Sequence, residues 1–324
     1  MTAEADRQAK ITPLERAQLM RRATYASVAV AVGLVAIKVV AWAYTGSVAL
    51  LGSLFDSFLD ALSSSIMLLA VSHALAPADA DHRFGHGKVE AIAGLGQAAL
   101  ITGSALYLFG EAMVRFFEPQ LPRHSDIGIV VIAVSMAATL LLLRYQRHVV
   151  AKTGSLAIGA DSLHYAGDLL MNGGVVLVFM SAEFAPWPYA DPVVGVAIAG
   201  ILIRSSWAIA RQSFDVLMDR EMGDEERQRI TEIVMSHREV RGIHDLRTRT
   251  SGLNSFIQFH IELDPDLKLS RAHRISDRVE LAVAKAFPSA DIIIHVDPEG
   301  LEMPLDVTPL PQEVPLAGDE GERK

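Results

Sequence analysis

Four ionisable residues stand inside apolar stretches of membrane length: Asp56 and Asp60 in LFDSFLDALSS, and His164 and Asp168 in DSLHYAGDLLMNGG. Each pair is spaced i, i+4, which on a helix puts both side chains on one face about a turn apart. Two such helices packed together converge three carboxylates and one imidazole on a single point. A charge at the bilayer centre costs about 2.5–3.5 kcal/mol on insertion scales, so the cluster needs a compensating partner, and a divalent cation supplies it. The donor set narrows the ion. Zn²⁺ takes imidazole nitrogen and carboxylate oxygen at about 2.0–2.2 Å in a four-coordinate shell, whereas an all-oxygen shell suits Mn²⁺ or Mg²⁺. His164 therefore points to Zn²⁺, Cd²⁺ or Fe²⁺, and the residues do not choose among these three. A ligand imidazole must be neutral and ligand carboxylates ionised, so protons and metal compete for the same atoms. That competition is a means of coupling the two.

The elements that must position these groups are legible from composition. The chain of 324 residues is 51% hydrophobic, with mean hydropathy +0.29, and its apolar content is concentrated before about residue 213. Segments near 25–46, 48–75, 90–114, 126–143, 156–182 and 191–210 are each about long enough to cross roughly 30 Å of hydrocarbon at about 1.5 Å per residue. Six spanning helices over 23–213 are expected, preceded by a polar segment over 1–22. That segment is polar and the first apolar run is too long for a cleaved signal peptide, so it is expected to stay. Cations gather before helix one (Arg7, Lys10, Arg16, Arg21, Arg22), between helices two and three (Arg83, Lys88) and between four and five (Arg144, Arg147, Lys152). The positive-inside rule then places both termini in the cytoplasm.

After Asp219 the texture becomes that of a small α/β domain over 214–300. GDEERQRITEIVMSH reads as an amphipathic helix, RGIHDLRTRTSG as a strand ending in a turn, and NSFIQFHIELD as an alternating strand. SRAHRISDRVELAVAKAF is a second helix with Ser270 as its expected N-cap, and ADIIIHVDP a third strand. Ile257, Phe259, Ile261 and Leu263 share a core face, which leaves Phe256, Gln258 and His260 on the other. In the third strand His295 and Asp297 oppose the core face of Ile292, Ile294 and Val296, so the sheet surface away from the helices carries metal-type ligands. Residues 301–324, rich in proline and ending in charge, are expected to be disordered. The net charge of −9 argues against a nucleic-acid partner. With no cysteine there are no disulfides and no thiolate metal sites.

Taken in order, the DxxxD of helix two, the loop PADADHRFGHGKVEA, the HxxxD in SLHYAGDLLMNGG, ADPVVG opening helix six, and HDLRTR, FIQFH and IIIHVDP in the tail make the chain resemble the cation diffusion facilitator family. Within it, the chain is similar to the bacterial ferrous-iron-efflux type of zinc transporter. The resemblance covers roughly residues 20–300. It implies an α-helical membrane protein of six transmembrane helices with a C-terminal cytoplasmic α/β ferredoxin-like domain, working as a homodimeric antiporter in the inner membrane. Such a protein exports a divalent metal from the cytoplasm against entering protons. Carried over residue by residue, the resemblance implies a transport site of Asp56, Asp60, His164 and Asp168. It also implies a loop site of Asp79, His82 and His86, and a cytoplasmic binuclear site of His244, His260, His273, His295 and Asp297. Lys88 and Asp219 match positions that form an ion pair between protomers.

Plainer readings stand beside these. A single intramembrane Asp or His can be an interhelical hydrogen-bonding group, but four at paired spacing go beyond that. Asp79, His82 and His86 could belong to a solvated turn, and Asp81 reads as their solvated neighbour. His73, His124, His148 and His237 read as surface residues. Glu111 fits either a second proton carrier or an end-of-helix carboxylate. Lys38 either snorkels or lies against the bundle interior, and Met171 and Asn172 read as packing. A membrane metal sensor would use the same ligands. An intramembrane metallohydrolase is disfavoured, since the chain lacks HExxH and a spare carboxylate beside a ligand histidine, and no enzymatic activity is expected.

Overall fold

A computed structural model describes residues 12–45, 48–117, 126–184 and 189–300. The expected disordered tail, the start of the N-terminal segment and His124 lie outside the described residues. Among the described residues six long helices come first: α1 (Pro13–Thr45), α2 (Val48–Ala74), α3 (Lys88–Phe117), α4 (Asp126–Thr153), α5 (Leu156–Phe184) and α6 (Ala190–Leu217). They are followed by α7 (Asp224–Met235), β1 (Gly242–Ser251), β2 (Asn254–Leu263), α8 (Leu269–Ala286) and β3 (Ala290–Pro298). The chain divides into two compact units, one of residues 1–224 with 247–257 and 287–292, the other of residues 225–246, 258–286 and 293–324.

In the first unit, Pro13–Tyr44, Ser53–Ala74, Lys88–Phe117 and Pro192–Leu217 are long and apolar enough to cross a membrane on length and composition alone. The other two, α4 and α5, have 28 and 29 residues, about 42 Å at 1.5 Å per residue. Phe55, Leu69, Leu141, Leu177 and Trp207 are exposed on the outer surface of the bundle. An apolar exterior is what a bilayer requires, because only there does such a surface escape water.

Helix α1 begins before the expected boundary at residue 22. The Thr12 hydroxyl accepts from the Glu15 N–H at 3.2 Å while the Glu15 carboxylate accepts from the Thr12 N–H at 2.8 Å. This is a reciprocal capping box, with Pro13 at the first helical position, where its missing N–H costs nothing. Among the described residues two buried clusters hold the bundle. One joins Met20 and Ala23 of α1, Met67 and Val71 of α2, Val149 of α4, and Ala157 and Ile158 of α5. The other joins Ile101 and Ala105 of α3 to Ile198 and Leu202 of α6, with Met171 of α5 packed on it, as expected for that residue. Helix α5 approaches α6 through Gly174, where a Cβ would lie 2.8 Å from Ile198 Cδ1 and 2.9 Å from Val194 Cγ1. A small residue there admits close helix contact.

The three strands form one sheet in the order β1-β2-β3. β1 and β2 are consecutive and joined by a tight turn at Gly252, whose φ is +59°. Ser255 N–H bonds Ser289 O and Glu299 N–H bonds Leu263 O, so β3 runs parallel to β2 and α8 is the crossover. The αββαβ order falls one strand short of the full ferredoxin-like βαββαβ among the described residues. Ile257, Phe259, Ile261 and Leu263 are buried, as the alternation predicts, with Ile230 and Val234 of α7 and Ile275, Val279 and Val283 of α8. Two expectations need correction. Ser270 is not the N-cap of α8, which starts at Leu269 and whose first turn closes on Lys268 O through the Arg271 and Ala272 N–H groups. Phe256, expected on the open face, is buried; within the first unit Phe84 meets its ring edge-on at 5.4 Å and Arg249 lies 4.6 Å over it.

Candidate metal sites

Helices α2 and α5 bring three of the four intramembrane ligands together. His164 Nε2 lies 2.9 Å from Asp60 Oδ1 and 3.8 Å from Asp168 Oδ2, and one ligand atom from each residue falls within 4.8 Å of the others. All three side chains are about one-fifth exposed, at 19% for His164 and 23% for both carboxylates, so the site is screened from bulk water but not sealed. Asp56 does not join them. It is exposed and lines a cavity of about 850 Å³ with Val35, Val39, Leu54 and Phe55 of α1 and α2. One turn of α2 before Asp60, it opens toward α1 and not toward α5.

Further polar groups set the orientation of these helices, and Lys38 takes the inward of its two expected placements. The ammonium of Lys38 is turned inward and donates to Ser57 Oγ at 2.6 Å and Ser53 O at 3.1 Å, which ties α1 to the stretch of α2 that holds Asp56 and Asp60. Ser64 donates to the Tyr165 hydroxyl at 2.8 Å, and that hydroxyl donates to Ser27 O at 3.3 Å. Tyr165, next to His164, thus fixes α5 to both α2 and α1. The Gln146 amide donates to Asp161 Oδ2 at 2.7 Å and to Ser27 Oγ at 2.9 Å, with all three residues buried.

The start of α5 is also fixed. Gly154, at φ +69°, ends α4 in the left-handed conformation, and Ser155 Oγ caps α5 by accepting from the Ile158 N–H at 3.2 Å. The buried Glu90 carboxylate of α3 accepts from the Ser155 hydroxyl and from the Ala157 N–H at 3.2 Å. A carboxylate at a helix N-terminus complements the macrodipole, so α3 holds the helix that bears His164 and Asp168. Polar residues in apolar helices were the available signal; which neighbour each would meet was not.

The loop between α2 and α3 gathers Asp79, His82 and His86, again with ligand atoms within 4.8 Å. Asp79 Oδ1 accepts from the His82 N–H at 2.6 Å and the Asp81 N–H at 3.0 Å. These bonds, the one from His82 foremost, hold its carboxyl below the usual carboxylate range, so Asp79 is ionised and ready for a cation. Asp79 Oδ2 lies 3.3 Å from His86 Nε2, and its Oδ1 3.3 Å from His82 Nδ1. His86 is buried, and its other nitrogen, Nδ1, has no hydrogen-bond partner among the described residues. Two imidazoles and an ionised carboxylate at these distances fit Zn²⁺.

In the second unit Asp297 sits between imidazoles on both of its oxygens. Oδ2 is 2.8 Å from His260 Nδ1 and 3.4 Å from His244 Nε2, while Oδ1 is 3.1 Å from His295 Nε2. The His260 ring lies 5.0 Å from that of His244 and 4.6 Å from that of His295. A carboxylate with histidines on each oxygen can bridge two ions, which fits a binuclear centre. Asp245 and Glu262 stand nearby, at 3.8 Å from His260 Nε2 and 3.9 Å from His244 Nε2, and neither was singled out in the sequence. Asp245 has φ +52°, a strained setting for a non-glycine residue of the kind that collects at functional sites. His273 is not part of this cluster within one chain. On α8 it is largely exposed and faces Asp277 of the next turn at 3.6 Å.

Lys88 and Asp219, expected to pair between protomers, close their ion pair inside one chain at 2.9 Å. Arg249 reaches the same Asp219 oxygen at 3.3 Å. All three residues belong to the first unit.

Comparison with known proteins agrees with this architecture. Residues 24–218 match the cation efflux transmembrane domain, and residues 222–299 match the cytoplasmic domain of cation efflux proteins. The chain is 43% identical over 282 residues to the cation-efflux pump FieF of Serratia proteamaculans strain 568, covering 87% of this chain and 94% of the relative. It is 42% identical over 283 residues to FieF of Shewanella oneidensis, covering 87% and 95%. Among solved structures, the Zn form of CzrB is 37% identical, covering 26% of this chain and 98% of that one with a TM-score of 0.25. With both domains matched in order over most of its length, the chain belongs to the cation efflux family, the cation diffusion facilitators.

Proposed function

We propose that this membrane transporter exports Zn²⁺ from the cytoplasm in exchange for protons, with Cd²⁺ and Fe²⁺ as the competing substrates. The carrying observation is the contact of His164 Nε2 with Asp60 Oδ1 at 2.9 Å, beside Asp168. A hydrogen bond between those atoms holds a proton where a cation would sit, and the metal and the proton cannot occupy that place together. The chemistry of exchange follows from this alternative occupancy. On the cytoplasmic side a departing proton frees nitrogen and oxygen lone pairs for the incoming ion. On the far side protons returning to these ligands lower its affinity and release it.

In this reading Asp56 completes the tetrahedral shell by moving toward Asp60 once a dication draws the carboxylates together, since a four-coordinate ion needs one more donor than the three residues in contact. The cations before α1, between α2 and α3, and between α4 and α5 support a reading with both termini in the cytoplasm and the protein in the inner membrane. The cytoplasmic domain matches one found in cation efflux proteins, and we assign it to a homodimer, with the Asp297 cluster as a resident metal centre that stabilises it. His273, exposed on α8, would be supplied from the second copy.

Flux measured in sealed vesicles for Zn²⁺, Cd²⁺, Fe²⁺ and Mn²⁺, with a pH gradient as the only driving force, tests the reading. Zn²⁺ should move fastest and Mn²⁺ slowest. Transport of Mn²⁺ ahead of the three softer ions would refute the substrate assignment.

A further inference from the structure

We infer that His73 is a fourth protein ligand of the loop metal site, which makes that site a closed His₃Asp zinc centre. The inference rests on the reading of Asp79, His82 and His86 as metal ligands. His73 reads from sequence as a surface residue, but the structure puts it in the last turn of α2 with its ring 4.6 Å from that of His86, at 61°. On the other side His82 stands at the same 4.6 Å from His86, at 47°. The central imidazole is thus flanked symmetrically by two others.

That spacing is what shared coordination requires. Two imidazoles on one tetrahedral Zn²⁺, each nitrogen about 2.0–2.1 Å from the ion, keep their ring centres about 5 Å apart. The separation of His73 from His86 is close to this value, while only His82 already has a ligand atom in the group. The arrangement has little to hold it otherwise. Neutral imidazoles gain little from edge contact, and three charged ones would repel around the single carboxylate of Asp79. His86 is buried, with Nε2 turned to Asp79 and Nδ1 unpartnered among the described residues.

The backbone on both sides is anchored. The Leu75 and Ala76 N–H groups bond to Val71 O and His73 O at 3.1 and 3.0 Å, and Gly85 N–H bonds to His82 O at 2.9 Å. As it stands, His73 is outside the group whose ligand atoms lie within 4.8 Å of one another. Its side chain is exposed, and coordination would require it to turn a nitrogen toward the group. The functional consequence concerns exchange. Three protein ligands leave a position open to water, whereas four close the shell, as in structural zinc sites. A closed shell would make the zinc a permanent clamp between the end of α2 and the start of α3, the two helices that flank the loop, and not a cargo ion in transit.

The test uses the full-length protein with the transport and cytoplasmic sites removed by Asp60→Ala, Asp168→Ala, His260→Ala and His295→Ala, titrated with Zn²⁺ against a chromophoric chelator and examined by zinc-edge X-ray absorption. One tightly held Zn²⁺ per chain with about three imidazoles in its shell is expected. Adding His73→Ala should remove one imidazole and weaken binding by at least the roughly 10–100-fold that loss of a mere supporting partner costs. If His73→Ala leaves affinity and imidazole count unchanged, His73 is not a ligand and the three-residue site stands without it. If the protein with His73 intact binds no Zn²⁺, the loop site itself is wrong, and the inference falls with it.

Discussion

The Lys88 ammonium lies 2.9 Å from the Asp219 carboxylate in the same chain, so the first residue of α3 is tied to the residue that ends α6. Asp219 stands there at φ +54°, with Arg220 N–H bonded to Asp215 O and its own N–H to Val216 O, the paired bonds of a Schellman ending. Glycine is the usual residue at that position; here the carboxylate is kept, and it holds Lys88 and Arg249.

This pair makes a prediction about acid stability. Partial burial of Asp219 raises its carboxyl, but hydrogen bonds from Lys88 and Arg249 outweigh that and set it below the usual carboxylate value. A depressed native value means that the stabilisation is complete above the unfolded value, about 3.9, and is lost as the pH falls through the native one. Both partners are more than one-third exposed, so solvent screening limits the effect to about 1 kcal/mol or less. Melting temperatures from about pH 6 to pH 3 should fall less steeply for Asp219→Asn than for the parent; equal slopes would show that the pair carries no stability. In transport, Lys88→Asp and Asp219→Lys should each impair flux, and the double exchange should recover only part, because Arg249 then meets a lysine.

Metal choice should follow the one nitrogen in the transport site. In His164→Asp the shell becomes all oxygen, so Zn²⁺ transport should fall while Mn²⁺ transport rises relative to it. Comparing the two fluxes in vesicles measures this. An unchanged ratio would remove His164 from the ligand set.

The six helices and the ladders of Asp56, Asp60, His164 and Asp168 were legible because they depend on local spacing, which one chain segment carries by itself. The same holds for the alternation that buries Ile257, Phe259, Ile261 and Leu263. What was not legible depends on which distant segment arrives. Phe256 alternates as an open-face residue and is covered because Phe84 and Arg249 reach it. Lys38 could have turned either way until Ser53 and Ser57 were placed beside it. Nothing local in the sequence marks Glu90, and its role at the α5 N-terminus exists only once α3 and α5 are neighbours. The early start of α1 is different: Thr12, Pro13 and Glu15 spell its capping box in the sequence itself, and apolar length alone passed over it.

The cytoplasmic cluster should couple metal to association. If Asp297 bridges ions held by His244, His260 and His295, Zn²⁺ at a hundredfold excess over its dissociation constant adds about 2.7 kcal/mol to the bound form. Full-length protein carrying Asp168→Ala should therefore melt higher with Zn²⁺, and part of that gain should vanish on adding His260→Ala and His295→Ala, the loop site keeping the rest. An undiminished gain would place the stabilising metal elsewhere.

The central claim is that metal and protons exchange at Asp60, His164 and Asp168, and it is tested most directly by Zn²⁺ flux in proteoliposomes energised only by a pH gradient, comparing the parent with Asp168→Ala. The parent should move Zn²⁺ while the gradient lasts and stop when an ionophore collapses it, and Asp168→Ala should remain a folded dimer without flux. Zn²⁺ transport by Asp168→Ala at the parent rate, or parent flux indifferent to the gradient, would contradict the account.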